Sequence, residues 1–534
     1  MHGMVAAPQV NAVDAAARVL QRGGNAVDAA VTGAFVQMVV DPQMCGVAGF
    51  GVANVRPADG AQRILDFNSP AGSRASERMW EDVVIEQDWT GYGYHLTGEV
   101  NDVGYRSVMT PTTVAGMAEL LRRFGTIDWK DALQPAIDYA ENGFVVTPSL
   151  WLTWNMPSPE GRIGMFRRIQ TTPASAAIYV KPNGQTPRPG ERLKNPDYAA
   201  TLRRLAEAGP EDFYRGELAQ RMAEDLGKNG SYITAEDLAN YRVRDLDPLE
   251  ISYRGYRVTS NPPAGGGICM EEILQIVENE DIGALGLNSL PYIDLVAHAM
   301  RAAYADWYGR VGDPYFVDVP VGELISDDRA AEWYGKIKRG EHFEVPRYPE
   351  ETGTTHITVV DEAGNCVAVT HSLGASSGVV TPGLGFTYNN NMNAANPQPG
   401  RPNSIAPGKT RITGICPTIV YQDDEPVLTL GAPGGTRIIT GVTQVVLNVL
   451  DHRLPAVEAV SAPRFDCQGP ILDCEGRIPS WIKEALAERD FQLFPNSASY
   501  GNFSRVQAIR RDPITHELDG GSDPRGAGGA VMAV

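Results

Sequence analysis

The residue with the greatest capacity for covalent chemistry is Thr354, which follows Gly353 and begins the run Thr-Thr-His-Ile-Thr-Val. A threonine hydroxyl is a weak nucleophile unless a base lies beside it. If the chain is cut immediately before Thr354, the new α-amine supplies that base, because its pKa lies near neutrality. A cut between Gly353 and Thr354 would therefore turn this threonine into an activated nucleophile. The dipeptide alone is more typical of two ordinary strand residues.

The sequence changes its pattern at this point. Regular periodicity ends at about Asp327, and residues 338–353 are charged, contain proline and lack a period, which is typical of an exposed, mobile linker. Residues 354–372 then alternate and contain Glu362-Ala-Gly-Asn365, which predicts a β-hairpin. A mobile linker that leads directly into a strand is a suitable place for a cut.

Helical and strand patterns alternate along the rest of the chain. Asn25 is placed to cap a helix over residues 26–40, and this stretch is apolar on nearly all sides, which predicts a buried helix. Further helices are predicted at Asn11–Gln21, Thr112–Phe124, Trp129–Asn142, Asp197–Ala208, Glu217–Lys228, Thr234–Asn240, Met270–Glu278, Ile293–Trp307 and Arg437–Leu450. Further strands are predicted at Tyr253–Ser260, Phe386–Asn390, Pro417–Tyr421, Val427–Leu430, Ser504–Arg510 and Glu517–Ser522.

Residues 354–372 resemble the segment that marks the γ-glutamyltranspeptidase family of N-terminal-nucleophile (Ntn) hydrolases. Other motifs of that family occur in the same order over nearly the whole chain, which makes the resemblance specific. These motifs are Gly24–Ala30, Asp41–Gln43, Asn261–Pro263, Ala303–Asp306, Gly312–Pro314, Pro417–Ile419, Pro433–Gly435 and Ser522–Arg525.

The resemblance implies an α+β fold of the Ntn type, a four-layer αββα sandwich in which one precursor becomes two intertwined subunits. Residues 1–353 would form the heavy subunit, and residues 354–534 the light subunit with a threonine at its amino terminus. The resemblance also implies that Thr354 is the nucleophile in both self-cleavage and catalysis. Ser372 falls where the family has a second threonine, whose hydroxyl supports the nucleophile.

Gly434 and Gly435 match the family's oxyanion-hole glycines. They come directly before the helix predicted at Arg437, so their backbone N–H groups would point to the place where negative charge develops on the substrate carbonyl oxygen. Without the resemblance, the same Pro-Gly-Gly sequence would be interpreted as a simple turn.

The chain departs from the family at positions that would hold the amino-acid head of a γ-glutamyl group. Asn68 occupies the place of the arginine that binds the substrate α-carboxylate. Asn391 and Asn393 lie in Asn389–Ala394, which corresponds to the family's segment for the substrate α-amine but contains no carboxylate.

Further departures lie near the predicted site. Thr413 and Gly414 stand where the family has two serines, and Gly374 stands where it has an asparagine. Arg411 is a candidate replacement for the missing arginine, because it is close to Thr413 and could reach a substrate carboxylate. An ordinary surface arginine is the alternative interpretation.

These departures affect only the binding of the amino-acid head of the substrate, since the residues for amide cleavage are retained. The two lost charge-assisted contacts are each worth roughly 1.5–3 kcal/mol. We predict an autoprocessing amidohydrolase or acyltransferase that forms an acyl-enzyme on Thr354 and acts on a carboxylate-bearing amide such as oxamate. One alternative is an ordinary glutathione hydrolase or γ-glutamyltransferase, and another is an unprocessed homologue that binds without catalysis.

Two other motifs offer different chemistry. Gly374–Gly378 has the G-x-S-x-G pattern of a nucleophile elbow around Ser376, but the sequence that follows is poorly suited to the helix that this motif requires. Gly265–Gly267 precedes a predicted helix and could cradle an anion, although it lacks the Lys-Ser/Thr of a P-loop. We rank both below Thr354.

Composition limits the class of partner. The chain has 534 residues and a formal net charge of −19, which argues against binding to nucleic acid. Its six cysteines and eight histidines lack the spacing of a zinc site, so neither a metal nor another cofactor is predicted. No signal peptide is visible, so we expect a cytoplasmic protein without membrane contact. The expected partners are a small amide substrate and the two subunits of one precursor, with a dimer of heterodimers as one possible assembly.

Overall fold

Strands that precede Thr354 in the chain and strands that follow it are combined in two antiparallel sheets. The structure, a computed structural model, describes residues 2–87, 94–156, 163–341, 343, 345 and 353–534. The strands are β1 Gly3–Ala7, β2 Phe50–Arg56, β3 Arg63–Phe67, β4 Val84–Gln87, β5 Tyr94–Leu96, β6 Phe144–Val145, β7 Arg192–Leu193, β8 Arg244–Leu246, β9 Leu249–Tyr253, β10 Tyr256–Ser260, β11 Thr355–Asp361, β12 Cys366–Ser372, β13 Thr418–Gln422, β14 Glu425–Gly431, β15 Phe465–Cys467, β16 Ile471–Cys474, β17 Gln492–Leu493, β18 Gln507–Arg511, β19 Leu518–Ser522 and β20 Gly529–Ala533.

The first sheet has the order β20-β1-β11-β12-β2-β3-β8, and the second has the order β19-β18-β14-β13-β10-β9. The β11–β12 hairpin lies inside the first sheet, with β1 on one side and β2 on the other. Strands from both sides of the Gly353–Thr354 bond therefore pair with one another. Cutting that bond would leave these backbone hydrogen bonds in place.

Helices pack against these sheets and around them. They are α1 Val10–Gln21, α2 Ala26–Val40, α3 Thr113–Phe124, α4 Trp129–Asn142, α5 Pro148–Asn155, α6 Met165–Arg168, α7 Pro173–Tyr179, α8 Pro196–Ala208, α9 Glu211–Arg215, α10 Glu217–Lys228, α11 Ala235–Asn240, α12 Gly267–Glu278, α13 Ile282–Leu285, α14 Leu290–Arg310, α15 Val321–Leu324, α16 Asp327–Lys338, α17 Arg437–Leu450, α18 Ala456–Ser461 and α19 Ser480–Ala487.

Helix α2 lies directly on the first sheet and is buried along its whole length. The side chain of Asn25 accepts hydrogen bonds from the N–H groups of Val27 and Asp28, so the predicted cap is confirmed. Gly33 lets the helix approach β11, because a Cβ at this position would lie 2.4 Å from the Ile357 side chain. The close contact places the helix against the strand that begins after Thr354.

Apolar side chains fill the space between the two sheets. Residues of both sheets form one buried cluster: Met4, Ala6, Val360, Cys366, Ile419, Tyr421 and Ile509. A larger cluster joins α1 and α2 to the first sheet, and another joins α12, α14 and α17 to the second. The molecule is therefore of mixed helix and sheet composition, and the two sheets contact each other through alternate residues of their strands.

Most of the predicted elements near the site are confirmed. The helices over residues 26–40, 129–142, 217–228 and 437–450 have the predicted bounds, and the hairpin over residues 354–372 forms with its turn at 362–365. Long, strongly periodic segments and a turn sequence between alternating strands are the patterns that local sequence specifies best.

Three predictions about elements are wrong. Residues 386–390 form no strand, and Tyr253–Ser260 is two strands joined by a turn at Arg254-Gly255, where Arg254 has a φ of 52°. The predicted loss of periodicity at Asp327 is also wrong, because α16 buries Ala330 and Trp333 on one face. Of the predicted linker, residues 342, 344 and 346–352 lie outside the described residues.

The terminal strands β1 and β20 were missed by the sequence analysis. They pair with each other in antiparallel register, Val5 opposite Val531, and β1 joins this pair to β11.

Within the described ranges, no helix is long and apolar enough to cross a membrane.

Candidate active site

The hydroxyl groups of Thr354 and Ser372 lie side by side at the end of the β11–β12 hairpin that is opposite its turn. Thr355 pairs with His371 in antiparallel register, which brings the next residue of each strand together. The two Oγ atoms are 3.2 Å apart. Both side chains are buried, with Thr354 1% and Ser372 0% exposed. The structure thus places together the two hydroxyl residues that the sequence singled out.

The carbonyl oxygen of Gly353 contacts both hydroxyls. Thr354 Oγ1 donates to it at 2.6 Å, and Ser372 Oγ donates to it in a short hydrogen bond. The N–H of Gly374 donates to Ser372 Oγ at 2.8 Å. A hydroxyl that accepts one bond and donates another polarises the carbonyl to which it donates. This arrangement can promote attack on the Gly353 carbonyl carbon by the neighbouring Thr354 hydroxyl.

Gly353 and Gly374 touch through their backbones. A Cβ at position 353 would lie 1.8 Å from the Gly374 carbonyl oxygen and 3.4 Å from the Gln43 carbonyl oxygen. Gly374 itself has a φ of 69°, a conformation that favours glycine. The close approach explains why glycine is required on both sides of this contact in the uncut chain.

Gly434 and Gly435 form the turn between β14 and α17. Their φ angles are 139° and 62°, which side chains rarely adopt. Gly431, at the end of β14, packs on the imidazole of His356, since a Cβ there would lie 2.3 Å from the ring. His356 is two residues from Thr354, so the Pro-Gly-Gly turn leaves β14 next to the start of β11. This is the location that an oxyanion hole would need.

Asn68, Asn391 and Arg411 form one buried hydrogen-bonded group. Asn391 Oδ1 accepts from Arg411 Nε at 2.8 Å and from Nη2 at 2.5 Å. Asn391 Nδ2 donates to Asn68 Oδ1 at 3.4 Å. The Arg411 guanidinium also lies 5.0 Å from the ring centroid of Phe50, which pairs with Ser372 across β2 and β12. Three of the predicted substrate-binding residues are therefore brought together near Ser372.

Arg411 is not a surface residue, so the alternative interpretation from the sequence is wrong. Only 2% of it is exposed, and burial lowers the pKa of its guanidinium to about 9. A buried cation interacts strongly with an anion that binds beside it, because little solvent screens the two charges. The Arg411 nitrogens donate to Asn391 Oδ1 and to the Ile412 carbonyl, which hold the charged group in place beside Asn68.

Asn393 lies in the short 3-10 turn Asn391–Ala394 and contacts a carboxylate that the sequence analysis missed. Its Nδ2 donates to Asp102 Oδ1 at 2.9 Å, and Asn390 Nδ2 donates to the same oxygen at 2.9 Å. The segment lacks an acidic residue of its own, as predicted, but Asp102 supplies one from elsewhere in the chain. Arg168 pairs with Asp102 at 2.5 Å, and this buried cation offsets the negative charge. No local pattern in the sequence marks the contact.

Thr413 and Gly414 join the Arg411 segment to the Pro-Gly-Gly turn. The Thr413 N–H donates to the Ala264 carbonyl at 2.9 Å, and the Thr413 hydroxyl accepts from the Ile415 N–H at 3.3 Å. A Cβ on Gly414 would lie 2.4 Å from the Gly435 carbonyl oxygen. Thr413 thus contributes to the shape of this region through its backbone and a local turn.

The two competing motifs have other roles. Ser376 is 1% exposed, has a φ of 68° and is not followed by a helix, so it does not form a nucleophile elbow. The glycines before α12 are occupied by the chain, because the Gly266 N–H donates to the Ile415 carbonyl at 2.9 Å. The Gly265 N–H likewise donates to the Pro262 carbonyl at 3.0 Å.

Potential metal ligands are dispersed. Among the residues that the structure describes, no group of three or more His, Cys, Asp or Glu side chains is placed to hold a metal ion. The six cysteines all lie in this described part, and each is buried as a free thiol.

Known proteins are similar to this chain in sequence and in fold over most of its length. The family model for Gamma-glutamyltranspeptidase matches residues 12–533. The acylase ACY 1 proenzyme of Pseudomonas sp. (strain V22) is 36% identical over 521 residues, which cover 94% of this chain and 89% of that protein. The glutathione hydrolase proenzyme of Escherichia coli (strain K12) is 34% identical over 550 residues, which cover 98% of this chain and 90% of that protein.

Solved structures give the same result. Cephalosporin acylase from Bacillus halodurans superposes with a TM-score of 0.88 at 31% identity, covering 99% of this chain and 95% of that chain. Helicobacter pylori gamma-glutamyltranspeptidase superposes with a TM-score of 0.55 at 32% identity, covering 62% of this chain and 90% of that one. Together with the match over residues 12–533, these similarities show that the chain belongs to the gamma-glutamyltranspeptidase family of Ntn hydrolases and is an amide hydrolase or acyltransferase.

Proposed function

We propose that this chain is a proenzyme that cuts itself between Gly353 and Thr354 and then uses Thr354 to form an acyl-enzyme with an amide substrate. The observation that carries the proposal is the contact of Thr354 Oγ1 and Ser372 Oγ with the Gly353 carbonyl oxygen. The proenzyme names of the relatives support a precursor. Residues 1–353 and 354–534 become the two subunits, held together by the pairing of β11 with β1 and of β12 with β2.

We further propose that the fold is the four-layer αββα sandwich of Ntn hydrolases. Support comes from the apolar cluster between the two sheets and from the clusters that join helices to each sheet. In this arrangement the hairpin that carries Thr354 lies in an inner layer. The surrounding layers exclude water from the nucleophile, which strengthens the electrostatic interactions there.

Self-cleavage begins with attack of Thr354 Oγ1 on the Gly353 carbonyl carbon. The negative charge that forms on the carbonyl oxygen is stabilised by the Ser372 hydroxyl, which is itself held by the Gly374 N–H. The C–N bond then breaks, the hydroxyl proton passes to the leaving nitrogen, and an ester joins Gly353 to Thr354 Oγ1. Water hydrolyses the ester, which leaves a carboxylate on Gly353 and a free α-amine on Thr354.

Turnover uses the same hydroxyl with the new amine as its base. The α-amine accepts the Thr354 hydroxyl proton while Oγ1 attacks the substrate carbonyl carbon. Ser372 orients the nucleophile, and the N–H groups of Gly434 and Gly435 stabilise the oxyanion. The α-ammonium then gives this proton to the leaving nitrogen, and departure of the amine product leaves the acyl-enzyme, which water hydrolyses or whose acyl group a second amine accepts. Hydrolysis and transfer share every step up to this point.

We propose a carboxylate-bearing acyl group without an α-amine as the substrate class. The buried charge of Arg411 beside Phe50 supports binding of the carboxylate. Asn68 and Asn391 are bonded to each other and lie next to this charge. The relatives named as acylases agree with a substrate other than a γ-glutamyl compound. These names give no support to oxamate itself, so the proposal includes longer acyl chains such as succinyl and glutaryl groups.

A second candidate function is glutathione hydrolysis or γ-glutamyl transfer. It is favoured by Asp102, whose carboxylate lies against Asn393 in the segment that would bind an α-amine. The glutathione hydrolase relatives also favour it. Arg168 offsets the charge of Asp102, which weakens its attraction for an ammonium group, so we place this function second.

Sequencing of the purified full-length protein from its amino termini tests the proposal. We expect two fragments, the smaller one starting at Thr354. Thr354→Ala should give one intact chain without activity, whereas Thr354→Ser should keep both reactions at lower rates. Thr443→Val is the control, because it removes a buried threonine hydroxyl in α17 that donates to the Ile439 carbonyl at 2.8 Å. An intact wild-type chain without turnover would instead indicate a non-catalytic homologue.

A panel of amides then identifies the acyl group: glutathione, a γ-glutamyl anilide, oxamate, and succinyl and glutaryl amides. We expect the succinyl and glutaryl amides to have the highest kcat/KM. A kcat/KM for glutathione near ~10⁴ M⁻¹s⁻¹ or above, the lower edge of ordinary enzyme efficiency, would favour the second candidate.

A further inference from the structure

Gln37 is a polar residue in the last turn of α2, a helix that is otherwise almost entirely apolar. It is 0% exposed. Burying an amide is unfavourable unless its hydrogen bonds are made inside the protein. Gln37 makes them with residues on both strands of the hairpin that carries Thr354 and Ser372. Its contacts in the sheet therefore explain why a buried glutamine occurs at this position of the helix.

The contacts of Gln37 reach one neighbour of each active-site hydroxyl. Its Nε2 donates to Thr355 Oγ1 at 3.0 Å, and Thr355 follows Thr354. Its Oε1 lies 2.9 Å from His371 Nε2, and His371 precedes Ser372. Thr355 and His371 are also paired in register across β11 and β12. One side chain thus joins the two strands behind the Thr354–Ser372 pair.

The orientation of the Gln37 amide is determined by its surroundings. Its Nε2 lies 3.0 Å from the His356 carbonyl oxygen, which can only accept. The same nitrogen lies 2.7 Å from Gln9 Oε1, so its two hydrogens are shared among three acceptors, while Gln9 Nε2 donates to Asp41 Oδ2 at 2.7 Å. Since the amide nitrogen faces these acceptors, the oxygen faces His371. His371 must therefore carry its proton on Nε2.

Thr355 is held from two sides. Its hydroxyl accepts from Gln37 and donates to Gln9 Oε1 at 3.0 Å, so both functions of the hydroxyl are used. The two glutamines belong to residues 1–353, whereas Thr355 belongs to the part that would become the small subunit. After the proposed cut, Thr354 is the first residue of its chain and precedes β11. Its position then depends on how firmly Thr355 is anchored.

We infer that Gln37 is a positioning residue: by joining Thr355 to His371 it keeps the Thr354 and Ser372 hydroxyls at reacting distance once the chain has been cut. The inference rests on the proposed function, because it assigns Gln37 a role in the reaction of Thr354. Gln37 acts through its two neighbours and touches neither the substrate nor the reacting atoms. Its loss is expected to lower kcat while leaving KM nearly unchanged.

Gln37→Met tests the inference, because methionine has similar length but cannot bond to Thr355 or His371. We expect the cut enzyme to have a kcat lowered by ~10–10²-fold, the effect of a displacement of about 1 Å, and a KM within about threefold of wild type. Gln444→Met is the matched control. Gln444 is another buried helical glutamine, and it bonds to the Thr440 and Phe465 carbonyls away from the hairpin. This control should lose thermal stability but keep kcat.

A kcat of Gln37→Met within about twofold of wild type, or equal losses in both glutamine variants, would overturn the inference. A spectroscopic measurement covers the case in which Gln37→Met does not fold. In wild-type protein labelled with ¹⁵N-histidine, and assigned with His371→Gln, we expect His371 as the neutral Nε2–H tautomer. The Nδ1–H tautomer would overturn the inference.

Failure of the proposed function would look different. In that case the wild-type protein would remain uncut and turn over none of the amides, while His371 still showed the Nε2–H tautomer. The contact between Gln37 and His371 would then be confirmed, but neither Thr354 nor Gln37 would have a role in a reaction.

Discussion

The Nδ2 of Asn68 donates a hydrogen bond to the main-chain carbonyl of Arg411 at 2.9 Å, although the two residues lie 343 positions apart in the chain. The resemblance to the γ-glutamyl enzymes implies that Asn68 stands where they have the arginine that binds the substrate α-carboxylate. Arg411 brings a positive charge to the same buried group as Asn68, and we propose that it takes the place of the arginine missing at position 68. The Arg411 guanidinium is held by Asn391, which also contacts Asn68.

Arg411→Met is predicted to weaken binding of a carboxylate-bearing acyl group. A charge-assisted contact is worth roughly 1.5–3 kcal/mol, so KM for a glutaryl amide should rise by ~10–100-fold. The same amide with a methyl group in place of the carboxylate should change much less. Steady-state kinetics with both substrates make the comparison. Arg257→Met is the control, because Arg257 also lies over an aromatic ring, that of Tyr421, at 3.9 Å. Equal losses for both substrates would contradict the assignment.

Ser372→Ala is predicted to slow both reactions of Thr354. Hydrolysis should fall by ~10–10³-fold if the hydroxyl orients the nucleophile. Self-cleavage should slow as well, because Ser372 Oγ donates to the Gly353 carbonyl. Ser372→Thr keeps a hydroxyl and should restore most of both rates. Ser377→Ala removes a nearby buried hydroxyl that donates to the Tyr388 carbonyl at 2.8 Å and serves as the control. Unchanged kcat at saturating substrate would show that Ser372 has no such role.

Gly353→Ala is predicted to block self-cleavage. The added methyl group would lie 1.8 Å from the Gly374 carbonyl oxygen, so the backbone must shift at the bond to be cut. We expect the rate of cleavage to fall by at least ~10²-fold, as seen for small displacements of reacting groups. A time course on denaturing gels measures it. Gly60→Ala is the control, since a Cβ there meets nothing closer than 3.4 Å. Cleavage of Gly353→Ala at the wild-type rate would contradict the geometry.

The stability of the protein is predicted to fall in acid because of His356 and His371. Burial lowers the pKa of each imidazole to about 3, from an ordinary value of 6.5. Between these values the unfolded chain binds more protons than the folded one, so the free energy of unfolding decreases as pH falls. The slope is about 1.4 kcal/mol per pH unit for each imidazole.

His356→Gln should make this slope shallower by about 1.4 kcal/mol per pH unit. Urea unfolding at about pH 6 and about pH 4.5, between the folded and the unfolded pKa of the imidazole, measures it. The Thr354→Ala background keeps the chain in one piece during these measurements. Thr201→Val is the control, because it removes a buried hydroxyl that donates to the Leu384 carbonyl at 2.8 Å but no ionisable group, and it should leave the slope as it is. A slope unaffected by His356→Gln would show that this imidazole titrates in the same way in both states.

The sequence by itself determined the elements that carry the chemistry. Alternation over residues 354–372 with a turn sequence in the middle predicts a hairpin, and a hairpin with this turn has one register. Thr354 and Ser372 must then meet. The buried helix α2, its Asn25 cap and the helix after Gly434-Gly435 were predictable for the same reason, since their signals are local.

The surroundings of the proposed substrate site were decided by the tertiary structure alone. Arg411 meets Asn68, Asp102 meets Asn393, and Gln37 meets His371, and each pair is separated by hundreds of residues. No period or spacing in the sequence records these contacts. They arise because packing two sheets and their helices brings loops and faces together, and a buried polar group must find its partner there. Burial also decides that Arg411 carries its charge inside the protein, where little solvent screens it.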